Sequence, residues 1–185
     1  YVALDDFEVT GDEPGGSTVD PGDPDKVVCE LPYSQSFDNE NKDYDGTTYV
    51  PKGWLATGTS TFTTANTNDL KAADGSYYLI APESRVQRDD RIYTPYFHMQ
   101  AGVEYTASFY LYMPGNLDHG HASDFSFTVG DEQDSEFHTP LLTLPRYTNE
   151  AWTKHTVKYT PEEDGDYCFS FALGGEDTYA GEACI

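Results

Sequence analysis

Cations are what this chain lacks most. Lys and Arg number 10 against 33 Asp and Glu in 185 residues, a formal net charge of −23. That excludes the usual electrostatic grip on nucleic acid or on an anionic membrane surface, which requires a basic face. No apolar run approaches the roughly 18 residues of a membrane span, so membrane insertion is not expected. No signal-peptide pattern is visible, which places any export signal outside this chain. Met is nearly absent (2 residues), and no 3.6-period amphipathic segment of useful length occurs, which removes the helical classes. Gly-x-Ser-x-Gly, His-Glu-x-x-His and phosphate-loop patterns are missing, so no enzyme is expected. Paired carboxylates for glycoside hydrolysis find many combinations among 33 acids, and no signal isolates one pair.

What is present favours strands. Aromatic residues make up 15%, with 15 Tyr and 10 Phe, alongside 16 Gly and 11 Pro. Such a mix suits short strands joined by turns and does not suit a disordered acidic tail. Val103 to Tyr112 is the clearest case. Val103, Tyr105, Ala107, Phe109 and Leu111 fall on one face, and Glu104, Thr106, Ser108, Tyr110 and Tyr112 on the other. Further strands are predicted at Val27 to Phe37, Tyr77 to Ile80, Ile92 to Met99 (interrupted by Pro95), Phe125 to Val129, Val157 to Tyr159 and Tyr167 to Leu173. The fold class is all-β, an antiparallel β-sandwich of jelly-roll type.

Three segments are distinguished. Residues 1–10 read as a strand, the last of a preceding repeat or a donor strand. Residues 11–26 hold four Gly, three Pro and five acids and read as a linker, stiffened by Pro and extended by charge. Residues 27–185 form the jelly-roll domain, expected to lack its own last strand. Glu182-Ala183-Cys184-Ile185 overlays Tyr1-Val2-Ala3-Leu4 as small and apolar residues of matching parity, which suggests a tandem array seen out of phase.

The motifs LPYSQSFDN, Pro51-Lys52-Gly53-Trp54, Arg91-Ile92-Tyr93-Thr94-Pro95-Tyr96-Phe97 with Ala101-Gly102-Val103-Glu104-Tyr105, Trp152 to Val157, and Asp164-Gly165-Asp166-Tyr167 with Phe171 carry a resemblance. Their order resembles the cleaved-adhesin and choice-of-anchor (MAM-like) jelly rolls of Bacteroidetes surface proteins. YVALDDFEV is similar to the last strand of that family, here preceding the domain. The resemblance implies a structural Ca²⁺ held by Asp38, Asn39 and Asp5 or Asp6, with Asp69 and Asp74 as further oxygen ligands. It also implies that Trp54 and Trp152 belong to the core, and export by the type IX route to the cell surface or extracellular space.

Other candidates come from the residues themselves. A hairpin centred on Glu176 sets Cys168 opposite Cys184, as disulfide geometry requires; Cys29–Cys168 and Cys29–Cys184 are the competing pairs, and three reduced thiols the further alternative. His119 and His121 have a spacing that can suit a transition metal, but a solvated loop is the simpler reading. Tyr110, Tyr112 and Tyr147 lie on or near an outward face, where a flat ring packs against a pyranose. The primary functional reading is a structural and adhesive module of a large repetitive surface protein or filament. Its partners would be neighbouring repeats or subunits through the last-strand segment, and surface glycans or a host or substratum. The alternative reading is a carbohydrate-binding module of a secreted hydrolase.

Overall fold

In the computed structural model the described residues are 2–11, 26–38, 50–58, 62–65, 70–81, 90–114 and 123–174. They form thirteen strands: β1 Val2–Gly11, β2 Val28–Cys29, β3 Tyr33–Gln35, β4 Leu55–Thr57, β5 Thr63–Ala65, β6 Tyr78–Ala81, β7 Asp90–Tyr93, β8 Tyr96–Met99, β9 Tyr105–Tyr112, β10 Ser123–Gly130, β11 His138–Tyr147, β12 Thr153–Tyr159 and β13 Gly165–Gly174. One 3-10 turn, Ser135–Phe137, precedes β11. The first sheet runs β12-β9-β1-β6-β5, with β3 also paired to β1. The second runs β11-β10-β13-β7-β4, with β8 on β13 and β2 parallel to β8. All other pairings are antiparallel, and the two sheets close the expected sandwich, consistent with a jelly roll.

Period-two alternation makes the core. On β9, Tyr105, Ala107, Phe109 and Leu111 are buried, while Thr106, Tyr110 and Tyr112 stay half-exposed. Phe125, Phe127 and Val129 of β10 and Phe169, Phe171 and Leu173 of β13 face them from the other sheet. Phe109 meets Phe127 at 4.9 Å and Phe171 at 5.0 Å. Trp54 is buried, stacks on Phe171 and donates its Nε1–H to the Tyr33 hydroxyl at 3.0 Å, so its polar edge is satisfied inside the sandwich.

Several expected elements divide differently. Val27 to Phe37 is not one strand: β2 joins the second sheet and β3 the first, with a cis Leu31–Pro32 bond between them. Thr94 and Pro95 break the Ile92 to Met99 run into β7 and β8. There Thr94 donates its N–H to the Phe169 carbonyl, and its hydroxyl accepts the Phe169 N–H. β11 carries Pro140 and Pro145 and escapes a pattern search; it lies at the end of the second sheet's order, where a missing N–H can point away from the ladder.

β1 is an interior strand. β9 lies along one side. On the other, β6 pairs with Val2 to Leu4 and β3 with Phe7 to Val9. The register slips between Asp5 and Glu8, where Asp6 takes a positive φ of 48°, the bulge that lets one strand serve both neighbours. Val2, Leu4, Phe7 and Val9 all enter the core. The sequence from 12 to 25 lies outside the described residues.

Candidate functional site

The acidic end of the first sheet gathers four of the predicted ligands around one loop. Asp5 is fully buried; its Oδ1 accepts the Asp6 N–H at 2.8 Å, and its Oδ2 those of Ala73 at 2.7 Å and Asp74 at 3.1 Å. Burial pushes the Asp5 carboxyl up to about 7, against the pull of those three donors. Asp6 is also raised, first by burial and then by the charge of Asp74. Asp38 Oδ1 accepts the N–H groups of Ser76 and Tyr77 at 2.7 and 3.0 Å. Gly75, at φ 66°, is needed there because a Cβ would collide with the Asp38 carboxylate. Asp5 and Asp38 thus hold the 73–77 loop through backbone donors. Among the described residues, no group of three His, Cys, Asp or Glu side chains converges on one point. Asn39 and Asp69 lie outside the described residues, as do His119 and His121.

The outward face of the first sheet carries Tyr110 and Tyr112. Both rings are engaged by neighbours: Lys154 Nζ lies 5.6 Å from the Tyr110 ring centroid, and Trp152 meets Tyr112 at 5.6 Å and Tyr78 at 5.9 Å. Trp152 is not a core residue. It is half-exposed on this outer side, and its Nε1–H donates to the Lys71 carbonyl at 2.8 Å. Tyr147 is set between the sheets instead of outward, edge-on to His155 at 6.0 Å and packed against the core.

The predicted hairpin placing Cys168 opposite Cys184 runs into residues outside those described. β13 already has neighbours on both sides, β10 on one and β7 and β8 on the other, and Cys168 pairs with Gly130. Cys184 lies outside the described residues, and no disulfide joins Cys29 to Cys168. The Cys168 thiol is buried, 3.4 Å from the Glu132 carbonyl and 3.6 Å from His138 Nε2. Burial drives it far above the ordinary thiol range, so it is no nucleophile. His138 donates from Nε2 to the Glu132 carbonyl at 2.7 Å, so Nδ1 accepts the Thr128 hydroxyl at 2.7 Å, which in turn accepts that of Ser170 at 2.7 Å. Burial lowers the His138 pKa and keeps the ring neutral in this role. The chain of bonds ties β10, β11 and β13 together.

Beside that brace, the outward face of the second sheet holds a groove of about 200 Å³ lined by Arg91, Asp124, Ser126, Thr143, Ala172 and Gly174, with Phe125 and Leu173 beneath. The registers explain it. Thr57, Arg91, Ala172, Ser126 and Thr143 stand opposite one another on β4, β7, β13, β10 and β11, forming one row across five strands. Four strand spacings make that row about 19 Å long. Ala172 and Gly174, the smallest side chains, form the floor, and hydrogen-bonding groups stand on both sides. Asp124 is anchored by accepting the Arg146 N–H at 2.8 Å, and among the described residues Arg91 has no ion-pair partner. Sequence inspection missed this row because its members are scattered from residue 57 to residue 172. The signal available was Arg91, a rare cation at an outward strand position.

A family model described as a carbohydrate binding domain matches residues 30–177. This overturns the resemblance to cleaved-adhesin, choice-of-anchor and MAM-like domains. The residues that suggested it, among them Phe37, Trp54, Tyr105 and Phe171, are buried in the core and report sandwich packing more than family. No curated protein matches. Among solved structures, the chain is similar to the CBM22-1–GH10 modules of the N-terminal endo-1,4-β-D-xylanase 10B of Clostridium thermocellum, complexed with xylohexaose. Identity is 19% and the TM-score 0.38, over 72% of this chain and 28% of that one.

Proposed function

The chain belongs to the carbohydrate-binding domain family, and from that premise we propose that it binds a neutral glycan chain along the groove of the second sheet and does not itself cleave it. This favours the carbohydrate-binding reading over the structural and adhesive one. The observation that carries the site is the row Thr57, Arg91, Ala172, Ser126 and Thr143. It offers a small-residue floor flanked by a cation and hydroxyls across five strands. Sugar hydroxyls need both donors and acceptors at fixed spacing, and a sheet supplies that rigidity. A net charge of −23, with Asp124 inside the groove, opposes polyanionic glycans and favours neutral ones. The Tyr110 and Tyr112 face offers less, since Lys154 and Trp152 already occupy its rings.

The test is calorimetric titration against a panel of soluble neutral polysaccharides. Arg91→Ala removes a charged donor worth about 1.5–3 kcal/mol, and Ala172→Leu fills the floor, so either lowers affinity roughly tenfold or more. Tyr110→Ala leaves it unchanged. If Tyr110→Ala abolishes binding while the groove variants bind normally, the site is on the other sheet.

A further inference from the structure

We propose that β1 is an exchangeable strand, so that residues 2–11 of one copy complete the first sheet of a second copy. Three independent observations support it. First, β1 sits in the interior of its sheet, third in the order β12-β9-β1-β6-β5, although the chain runs from it into the other described strands only through residues 12–25. Lifting it out leaves two unpaired edges, β9 on one side and β6 with β3 on the other, above a floor that includes Phe127, Phe169 and Phe171 of the second sheet. Such a slot matches the requirements of strand addition: backbone hydrogen bonds on both edges, and pockets for Val2, Leu4, Phe7 and Val9 that set the register. Second, β1 lies outside the family segment, which covers residues 30–177 and takes in β3 to β13. The sheet is therefore completed by a strand that the family segment does not itself supply.

Third, the joining sequence GDEPGGSTVDPGDPDK, residues 11–26, has the composition of a spacer. Sixteen residues can span at most about 50 Å. A sandwich of about 160 residues is about 40 Å across, taken from a radius of gyration near 15 Å. The spacer is thus long enough to deliver the strand to an adjoining copy as well as to its own slot. Contacts in the two arrangements are the same, so concentration and folding history decide between them. A tethered strand experiences an effective concentration in the millimolar range, and exchange gains ground as protein concentration rises or chains refold together.

Thr10 and Thr106 are register partners on β1 and β9, both half-exposed, and serve as a crosslinking pair. The full chain carrying Thr10→Cys, isotopically labelled, and the full chain carrying Thr106→Cys are unfolded together, refolded at rising concentration and oxidised. The products are then mapped by non-reducing peptide mass spectrometry. The expected result is a mixed dimer joined from residue 10 to residue 106, its share rising with concentration. A double variant in one chain, Thr10→Cys with Thr106→Cys, is expected to give the same link within a monomer at high dilution. If the single variants give no 10–106 link at any concentration while the double variant closes within one chain, exchange is refuted. If the double variant fails to close at all, the β1–β9 register itself is refuted, and the proposal with it.

Discussion

Phe7→Ala tests whether β1 belongs to this sandwich energetically as well as geometrically. Phe7 is 1% exposed, and its ring lies 5.6 Å from Trp54, 5.7 Å from Phe171, 6.1 Å from Phe169, 6.3 Å from Tyr33 and 6.4 Å from Phe127. Its partners come from β3, β10 and β13 and from the residue before β4, so the ring joins both sheets. Truncation forfeits the transfer energy of the ring and leaves a cavity that surrounding aromatic side chains cannot easily refill. The expected cost is about 3–5 kcal/mol, a large part of the roughly 5–15 kcal/mol of a typical domain. With a urea dependence of about 2 kcal/mol per molar, the unfolding midpoint falls by about 2 M. Tryptophan fluorescence is a suitable readout, because Trp54 meets the Phe7 ring edge-on. Glu8→Ala, its exposed neighbour, should stay within about 0.5 kcal/mol. A midpoint lowered by less than about 0.5 M in Phe7→Ala, with the slope unchanged, would show that β1 contributes little to the core, and the reasoning would fail.

The Asp5 carboxyl, raised from 3.8 to about 7 by burial, binds a proton more readily in the folded than in the unfolded chain. Its contribution to stability is therefore fully present at low pH and is lost as pH rises from about 4 to about 7, with a limiting slope of about 1.4 kcal/mol per pH unit. His138 and His155, both lowered by burial, act in the opposite sense, losing stability on acidification below about 6.5. Chemical unfolding of wild type and Asp5→Asn across this window, with a chelator present, isolates the carboxyl; identical pH profiles would refute it. Cys168 is expected to resist iodoacetamide at pH 8 in the folded chain and to alkylate only on unfolding, because burial raises its pKa and closes access. Rapid native labelling mapped to Cys168 would contradict the buried placement.

Much of the local structure was legible. Alternation over Val103 to Tyr112 specified both a strand and the face it buries, because side chains point to opposite sides at each step regardless of what lies beyond. The same holds for Phe125 and Phe127, whereas β13 is buried on both faces, Cys168 and Ser170 as well as Phe169 and Phe171. Motif order correctly indicated a sandwich but led to the wrong family, since buried aromatics are chosen for packing and recur wherever such packing recurs.

Apart from the clustering of Asp5, Asp6, Asp38 and Asp74 that the resemblance implied, neighbour relations were not legible. Asp5 bonds to a loop 68 and 69 positions away, and Arg91 and Ala172 become adjacent only through the pairing of β7 with β13. The sandwich places Trp152 outside the core, where the resemblance implied a core residue, and Tyr147 against the core, where the strand reading set it on or near an outward face. Sequence by itself determined which segments are extended, which faces are apolar and which charges dominate, because those follow from residue type and a two-residue period. Only the tertiary structure decided that β1 fills the middle of a sheet and that five distant strands line up one groove. Strand order is settled by the joint burial of all the apolar faces, a property that no single segment carries.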